Sequence, residues 1–171
     1  MTFIASRRAF LLAAGSLSLA GCSSSPVGFT MDGGPGFYKR LNARAEQVDA
    51  VAARDMISIY RTNNGLSALS LEPALMEAAQ EQALAMARAD RMSHDIGGSL
   101  QSRLWNKLPH KSATENVGAG YYTLAEAFSG WRQSRSHNEN MLNGRMKRMG
   151  IAVAHAPNSK YKVYWALIMS D

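Results

Sequence analysis

Four histidines are the side chains in this sequence best suited to acid–base chemistry or metal binding, because imidazole titrates near neutral pH. His94 and His137 each follow the end of a predicted helix and precede a new element, so both can project into one cleft. His110 lies in a polar loop and His155 ends a predicted strand, so we expect both to be solvated surface residues.

The sequence does not have the pattern of a nucleophilic hydrolase. Its one cysteine, Cys22, is far from the histidines, and no G-x-S-x-G elbow is present. Ser134 and Ser136 precede His137, but the expected role of Ser136 is to cap the short helix that follows. Phosphate-binding loops and Rossmann glycine patterns are also absent from the sequence, which argues against nucleotide chemistry.

Helical periodicity predicts the elements that position the first histidine. A helix is expected over residues 45–63, ending at Gly65, which can adopt a left-handed cap. The clearest helix covers residues 73–89, with Pro73 in its first turn and many alanines on one face. A short helix is expected around residues 99–105 in the loop after His94.

The second half of the chain changes from helical to strand-like patterning. Thr123 and Glu126 form a capping-box pattern that starts a third helix, after a small β-like run at residues 115–120. Residues 149–154 and 161–169 are rich in apolar and β-branched side chains around a turn, which predicts a β-hairpin. Helices first and antiparallel strands last indicate the α+β class.

Composition limits the classes of partner. The chain has 171 residues, 46% hydrophobic and 19% charged, with a formal net charge of +6, which fits one ordinary domain. Arg145, Lys147 and Arg148 form the one tight basic group, and a solvated turn explains it better than a nucleic-acid surface. A single cysteine excludes a disulfide scaffold and a cysteine-based zinc site.

The N-terminus has the pattern of an export leader. Arg7 and Arg8 precede an apolar run at residues 9–20, which is too short to span a bilayer stably. The letters LAGC at residues 19–22 resemble a bacterial lipobox. This resemblance implies cleavage before Cys22 and a diacylglycerol on its sulfur.

The same region predicts the route and the destination of the protein. Residues 6–11, SRRAFL, resemble a twin-arginine export motif. We therefore expect a signal peptide at residues 1–21 and a lipidated, flexible tether at residues 22–44. Ser23 is not an acidic retention signal. In a Gram-negative cell this favours anchoring on the periplasmic side of the outer membrane.

Several short motifs occur in a characteristic order along the rest of the chain. They are Arg61 with Gly65-Leu66 and Leu69, the helix from Leu75 to Met86-Ala87, Ser93-His94, Glu115-Asn116-Val117 with Gly118 and Gly120, Trp131-x-x-Ser134-x-x-His137-x-x-Asn140-Met141-Leu142, and Met149-Gly150-Ile151 with Tyr164-Trp165. Together they resemble bacterial members of the CAP superfamily (SCP/PR-1-like), with residues 45–171 as the CAP domain.

The resemblance implies a fold and a site. The fold is an α-β-α sandwich around a three-stranded antiparallel sheet, and the site is a cleft with clustered His and Glu. His94, Glu115 and His137 match the family positions. Ser134 stands where larger members have a second Glu, so the resemblance does not extend to a site with two carboxylates.

This residue set allows more than one chemistry. Two imidazoles and one carboxylate suit a divalent metal such as zinc, which would lower the pKa of bound water towards about 7. No H-E-x-x-H helix fixes two ligands, however. Glu115 could instead orient a histidine so that the pair hydrogen-bonds a polar ligand, or the three groups could simply satisfy one another.

Three functions follow from these alternatives. The leading hypothesis is a non-catalytic module that presents its cleft to an envelope or extracellular ligand. The second is a metal-assisted hydrolase that uses His94, Glu115 and His137. The third is a structural lipoprotein with a vestigial cleft. In each case we expect a monomer held at the membrane by its N-terminal lipid, with no nucleic-acid partner.

Overall fold

The computed structural model describes residues 36–41, 47–109 and 111–171. The predicted signal peptide, Arg7, Arg8, Cys22, most of the tether and His110 lie outside these residues. No helix within the described ranges is long and apolar enough to cross a membrane. The helices are Ala50–Asn63 (α1), Pro73–Ala89 (α2), Leu100–Leu104 (α3), Leu124–Gln133 (α4) and Arg135–Met141 (α5), and the strands are Ser70–Leu71 (β1), Ala113–Ala119 (β2), Arg148–His155 (β3) and Val163–Ser170 (β4).

The four strands form one sheet in the order β1-β3-β4-β2. β3 and β4 pair in antiparallel register from Arg148 opposite Ser170 to His155 opposite Val163, which confirms the predicted hairpin. β2 pairs antiparallel with the other side of β4. The three antiparallel strands are therefore present, and the two-residue strand β1 adds a fourth that runs parallel to β3.

Each face of the sheet is covered by its own hydrophobic core, because successive side chains of a strand point to opposite faces. On β4, Trp165, Leu167 and Met169 pack with the core that includes Ile57 of α1 and Trp131 of α4. The alternate β4 residues pack with the alanine-rich face of α2. Helices on both faces of a small sheet give the expected α-β-α sandwich and confirm the α+β class.

Helix α2 approaches β3 unusually closely at Gly150. A Cβ atom added to Gly150 would lie 2.1 Å from the carbonyl carbon of Leu75. Ala78, Ala79 and Ala83 on the same helix are all fully buried, so small side chains allow this approach along the helix. The close packing therefore depends on alanines on the helix and on a glycine on the strand.

Local hydrogen bonds decide where two helices begin. The capping box of α4 is confirmed: Thr123 Oγ1 accepts from Glu126 N at 3.1 Å, and Glu126 Oε2 accepts from Thr123 N at 2.9 Å. The predicted start of the first helix is wrong. Instead of covering residues 45–63, α1 begins after Asp49, whose carboxylate caps it by accepting from the N–H of Ala52 at 2.9 Å.

A buried arginine joins α1 to the segment that follows α5. The Arg61 side chain is fully buried and donates to the carbonyl oxygens of Ser67, Met141, Asn143 and Met146 at 2.6–3.0 Å. Burial lowers the pKa of its guanidinium. Because every one of these acceptors is a backbone carbonyl, the side chain acts as a clamp on chain geometry.

Candidate functional site

Glu115, on β2, is the centre of the candidate site. Its side chain is only 3% exposed, and both carboxylate oxygens are bonded. Oε1 accepts from Arg103 Nη2 at 2.8 Å, and Oε2 lies 2.9 Å from His94 Nδ1. A carboxylate this deeply buried needs a charged partner to offset its lost hydration, and Arg103 provides one.

Two helices hold the segment that carries His94. From α3, Arg103 Nη2 donates to the His94 carbonyl at 3.2 Å as well as to Glu115. From α2, the fully buried Gln82 donates from Nε2 to the Ser93 carbonyl at 2.7 Å. The backbone on either side of the imidazole is therefore fixed by side chains from separate elements.

The environment of His94 favours its protonated form. The hydrogen bond to Glu115 raises the pKa of His94 above its ordinary value, with further support from the charges of Glu115 and Asp95. Partial burial and the positive charge of Arg103 oppose this effect. About half of the His94 side chain remains exposed, so the ring is open to a ligand.

His137, on α5, faces His94 across the site. Their ring centroids are 6.4 Å apart and the rings are tilted by 51°. Burial lowers the pKa of His137, and the neighbouring His94 lowers it further. The two imidazoles thus have opposite tendencies: His94 is biased towards the charged form and His137 towards the neutral form.

Two asparagines position α5 against β2. The buried Asn116 donates from Nδ2 to the His137 carbonyl at 2.9 Å. Asn140 Nδ2 donates to Asn116 Oδ1 at 2.9 Å and to the Glu115 carbonyl at 3.1 Å. Ser136 does not cap this helix as predicted. The N-cap position is Ser134, without a side-chain cap bond, because α5 starts directly after α4.

The structure brings all three residues named from the sequence to one cavity of about 350 Å³. Its polar wall includes His94, Asp95, Glu115, Ser136, His137 and Asn140. His155 does not take part. It lies at the end of β3 and lines a different cavity beside residues 156–159.

The donor set does not fit a metal ion. Among the residues the structure describes, no three or more His, Cys, Asp or Glu side chains are grouped to hold one. The physical reason lies at Glu115, whose two oxygens are already bonded to Arg103 and His94. The Arg103 guanidinium also offsets the negative charge of Glu115, and a bound cation would need that charge.

Arg103 is the site residue that sequence reasoning missed. It lies in a short helix within a loop, and nothing in its local sequence indicates that it pairs with Glu115, 12 positions later. Asn116 and Asn140 belong to the motifs that resemble CAP domains. That resemblance was the available signal for them, although their hydrogen bonds could not be foreseen.

Comparison with known proteins places the fold. Solved structures that match include an extracellular protein with an SCP domain from Bacillus anthracis (24% identity, TM-score 0.61, 70% of this chain and 39% of that one). An outer surface protein from Borrelia burgdorferi matches with 17% identity, a TM-score of 0.61, and coverage of 69% and 88%. A cysteine-rich secretory protein from Staphylococcus aureus matches with 20% identity, a TM-score of 0.54, and coverage of 71% and 38%.

These likenesses show the fold alone, and the chain spans less than two fifths of the Bacillus and Staphylococcus proteins. A search of curated protein sequences found no match. The sequence profile of the cysteine-rich secretory protein family, CAP, matches residues 54–169, which include His94, Glu115 and His137. The chain therefore belongs to the CAP family.

Proposed function

We propose that this protein is an exported, lipid-anchored CAP module that binds a polar ligand in the cleft of His94, Glu115 and His137 and performs no catalysis. The observation that carries the proposal is the arrangement of two imidazoles on one cavity, with His94 held by the buried Glu115. Binding needs only this preorganised set of hydrogen-bonding groups.

The hydrogen bonds of His94 indicate the kind of ligand. Its Nδ1 bonds Glu115, and its Nε2 makes no hydrogen bond to any described residue. With His94 protonated, the charges of His94, Arg103, Glu115 and Asp95 cancel. A neutral or singly charged ligand with hydrogen-bond acceptors, such as a carboxylate, suits this cleft better than a multiply charged ion.

The metal-assisted hydrolase is the weaker alternative, because Arg103 and His94 already bond both oxygens of Glu115. The hydrolase would need those oxygens as ligands and would have to place a divalent cation near a guanidinium. Zinc titration of the full chain, followed by calorimetry, distinguishes the two functions. We expect no stoichiometric binding at micromolar zinc.

Ligand binding is tested with acetate as the probe, because it is the simplest single carboxylate. Imidazole NMR signals of the detergent-solubilised full chain are followed during an acetate titration. We expect the His94 and His137 signals to shift with saturation, and the shift of the His137 signal to disappear in His94→Ala. His155→Ala is the matched control, since His155 lies at another cavity and its loss leaves the titration unchanged.

Three outcomes separate the hypotheses. Saturable acetate binding that needs His94 supports the binding module. Stoichiometric zinc binding that is lost in both His94→Ala and His137→Ala supports the hydrolase instead. If neither probe binds, the cleft is vestigial and the protein has a structural role.

The proposed location rests on sequence outside the described residues. Arg7 and Arg8 suit twin-arginine export, and the lipobox that ends at Cys22 suits lipidation. The tether at residues 22–44 then places a monomeric domain on the periplasmic side of the outer membrane. Cys22→Ser should abolish fatty-acid labelling and release the protein from the membrane fraction. Membrane retention by the variant would contradict the anchor.

A further inference from the structure

The chain contains two Asn-Gly pairs, Asn64-Gly65 and Asn143-Gly144. An asparagine before a glycine can react with its own backbone, when the glycine nitrogen attacks the carbon of the side-chain amide. Glycine favours this ring closure because it has no Cβ atom beside the attacking nitrogen. Local sequence gives both pairs the same chemistry, so a difference in their reactivity must come from the folded structure.

In the pair that follows α1, both reacting groups are engaged in hydrogen bonds. The attacking group, Gly65 N–H, donates to the Thr62 carbonyl at 3.0 Å. The leaving group, the Asn64 amide, donates from Nδ2 to the Tyr60 carbonyl at 2.8 Å. Ring closure would have to break both bonds. The fold therefore protects this pair, although Asn64 is exposed to water.

In the pair that follows α5, the same two groups are available. Neither Gly144 N–H nor Asn143 Nδ2 makes a hydrogen bond to any residue that the structure describes. Asn143 Oδ1 instead accepts from Arg145 N at 3.0 Å. This local turn folds the side-chain amide back over the Gly144 peptide. The donated N–H also polarises the amide carbonyl that would be attacked.

The oxygen of the attacking peptide is held by two donors. Asn143 O accepts from Arg61 Nη1 at 3.0 Å and from Met146 N at 3.2 Å. When Gly144 N loses its proton, negative charge spreads to this oxygen, because the peptide group is conjugated. A guanidinium and an N–H aimed at the oxygen stabilise that charge. The Arg61 clamp therefore activates the nitrogen beside it as well as holding the fold.

We propose that Asn143-Gly144 is a self-modification site, at which the folded chain converts Asn143 to aspartate and isoaspartate. Gly144 N loses its proton to water and forms a bond to Cγ of Asn143. The bond from Cγ to Nδ2 breaks, ammonia leaves with a proton from water, and a succinimide ring remains. Water then opens the ring at either carbonyl, so the net change is the uptake of water and the loss of ammonia.

The modification acts on the clamp that favours it. Isoaspartate carries the backbone through the side chain of residue 143 and so adds a methylene to the main chain. This longer segment lies between Met141 and Met146, whose carbonyl oxygens both accept from Arg61. Modified molecules thus lose the fit between α1 and the segment after α5, and the stability of the domain falls as the protein ages.

The test follows both pairs in one sample of the full chain, kept in detergent at mildly alkaline pH. Mass spectrometry of tryptic peptides measures conversion of amide to acid, and electron-based fragmentation identifies isoaspartate. A parallel sample unfolded in urea gives the rate set by local sequence alone. We expect folding to slow the reaction of Asn64 at least about tenfold and not to slow that of Asn143.

Gly144→Ala is the matched variant. Its added Cβ hinders ring closure, yet in the folded chain it meets only a Leu66 side-chain carbon, at 3.5 Å. The variant should react more slowly at residue 143 and unchanged at Asn64, and its urea midpoint should not fall on ageing as that of the unaltered chain does. Equal slowing of both pairs by folding, faster reaction at Asn64 in the folded chain, or aspartate formed without isoaspartate would each overturn the proposal.

Discussion

Replacing Arg61 by methionine tests how strongly one buried guanidinium holds this fold together. Methionine keeps much of the apolar volume but removes donors to four carbonyl groups. The hydrogen bonds to Met141 O and Met146 O are buried, so those acceptors would lose their partner without gaining water. Two such losses cost about 2–6 kcal/mol.

One opposing effect reduces this figure. The lowered pKa of Arg61 shows that burial disfavours its charge, and methionine removes that unfavourable burial. We therefore expect the free energy of unfolding to fall by about 2–4 kcal/mol, in the lower part of the range. This is a large share of the stability of a domain, which is typically about 5–15 kcal/mol.

Urea unfolding followed by circular dichroism measures the effect. With a slope of about 2 kcal/mol per molar, the middle of the usual range for small proteins, the midpoint should fall by about 1–2 M. Arg54→Met is the matched control on the same helix, because Arg54 forms an exposed ion pair with Asp55 that contributes under about 1 kcal/mol. If Arg61→Met and Arg54→Met unfold at the same midpoint, the clamp does not stabilise the fold as reasoned.

Two further predictions concern packing and proton binding. Gly150→Ala places a Cβ atom inside the α2 backbone and should lower the free energy of unfolding by about 3 kcal/mol or more, measured by chemical denaturation. Gly144→Ala is the control and should be nearly neutral, because its added atom meets only a side-chain carbon at 3.5 Å. In NMR titrations His94 should titrate above about 6.5 and His137 below it, and Glu115→Gln should bring the His94 midpoint down. His94 therefore contributes to stability below about pH 6.5, and this contribution is lost as the pH rises through its folded pKa. His137 contributes above about pH 6.5, and its contribution is lost as the pH falls through its folded pKa. A shared midpoint for both histidines would contradict the geometry of the site.

The candidate site could be predicted in part because its residue types are rare in this chain. His94 and His137 stood out as two of four histidines, and the motif resemblance added Glu115. The partner of Glu115 could not be predicted, because pairing with Arg103 depends on how a loop helix packs against β2. Of the alternatives that the sequence left open, that one contact disfavours a metal site, because it occupies an oxygen of the carboxylate that would bind the ion.

Local sequence by itself determined the elements whose signals are short-range. These include the span of α2, the Thr123–Glu126 capping box and the β-hairpin, since turn and cap bonds join residues a few positions apart. The tertiary structure alone decided the parallel strand β1, the Arg61 clamp and the Arg103–Glu115 pair. Each of these joins segments that are distant in sequence, and burial gives such contacts their strength only after the chain has folded around them.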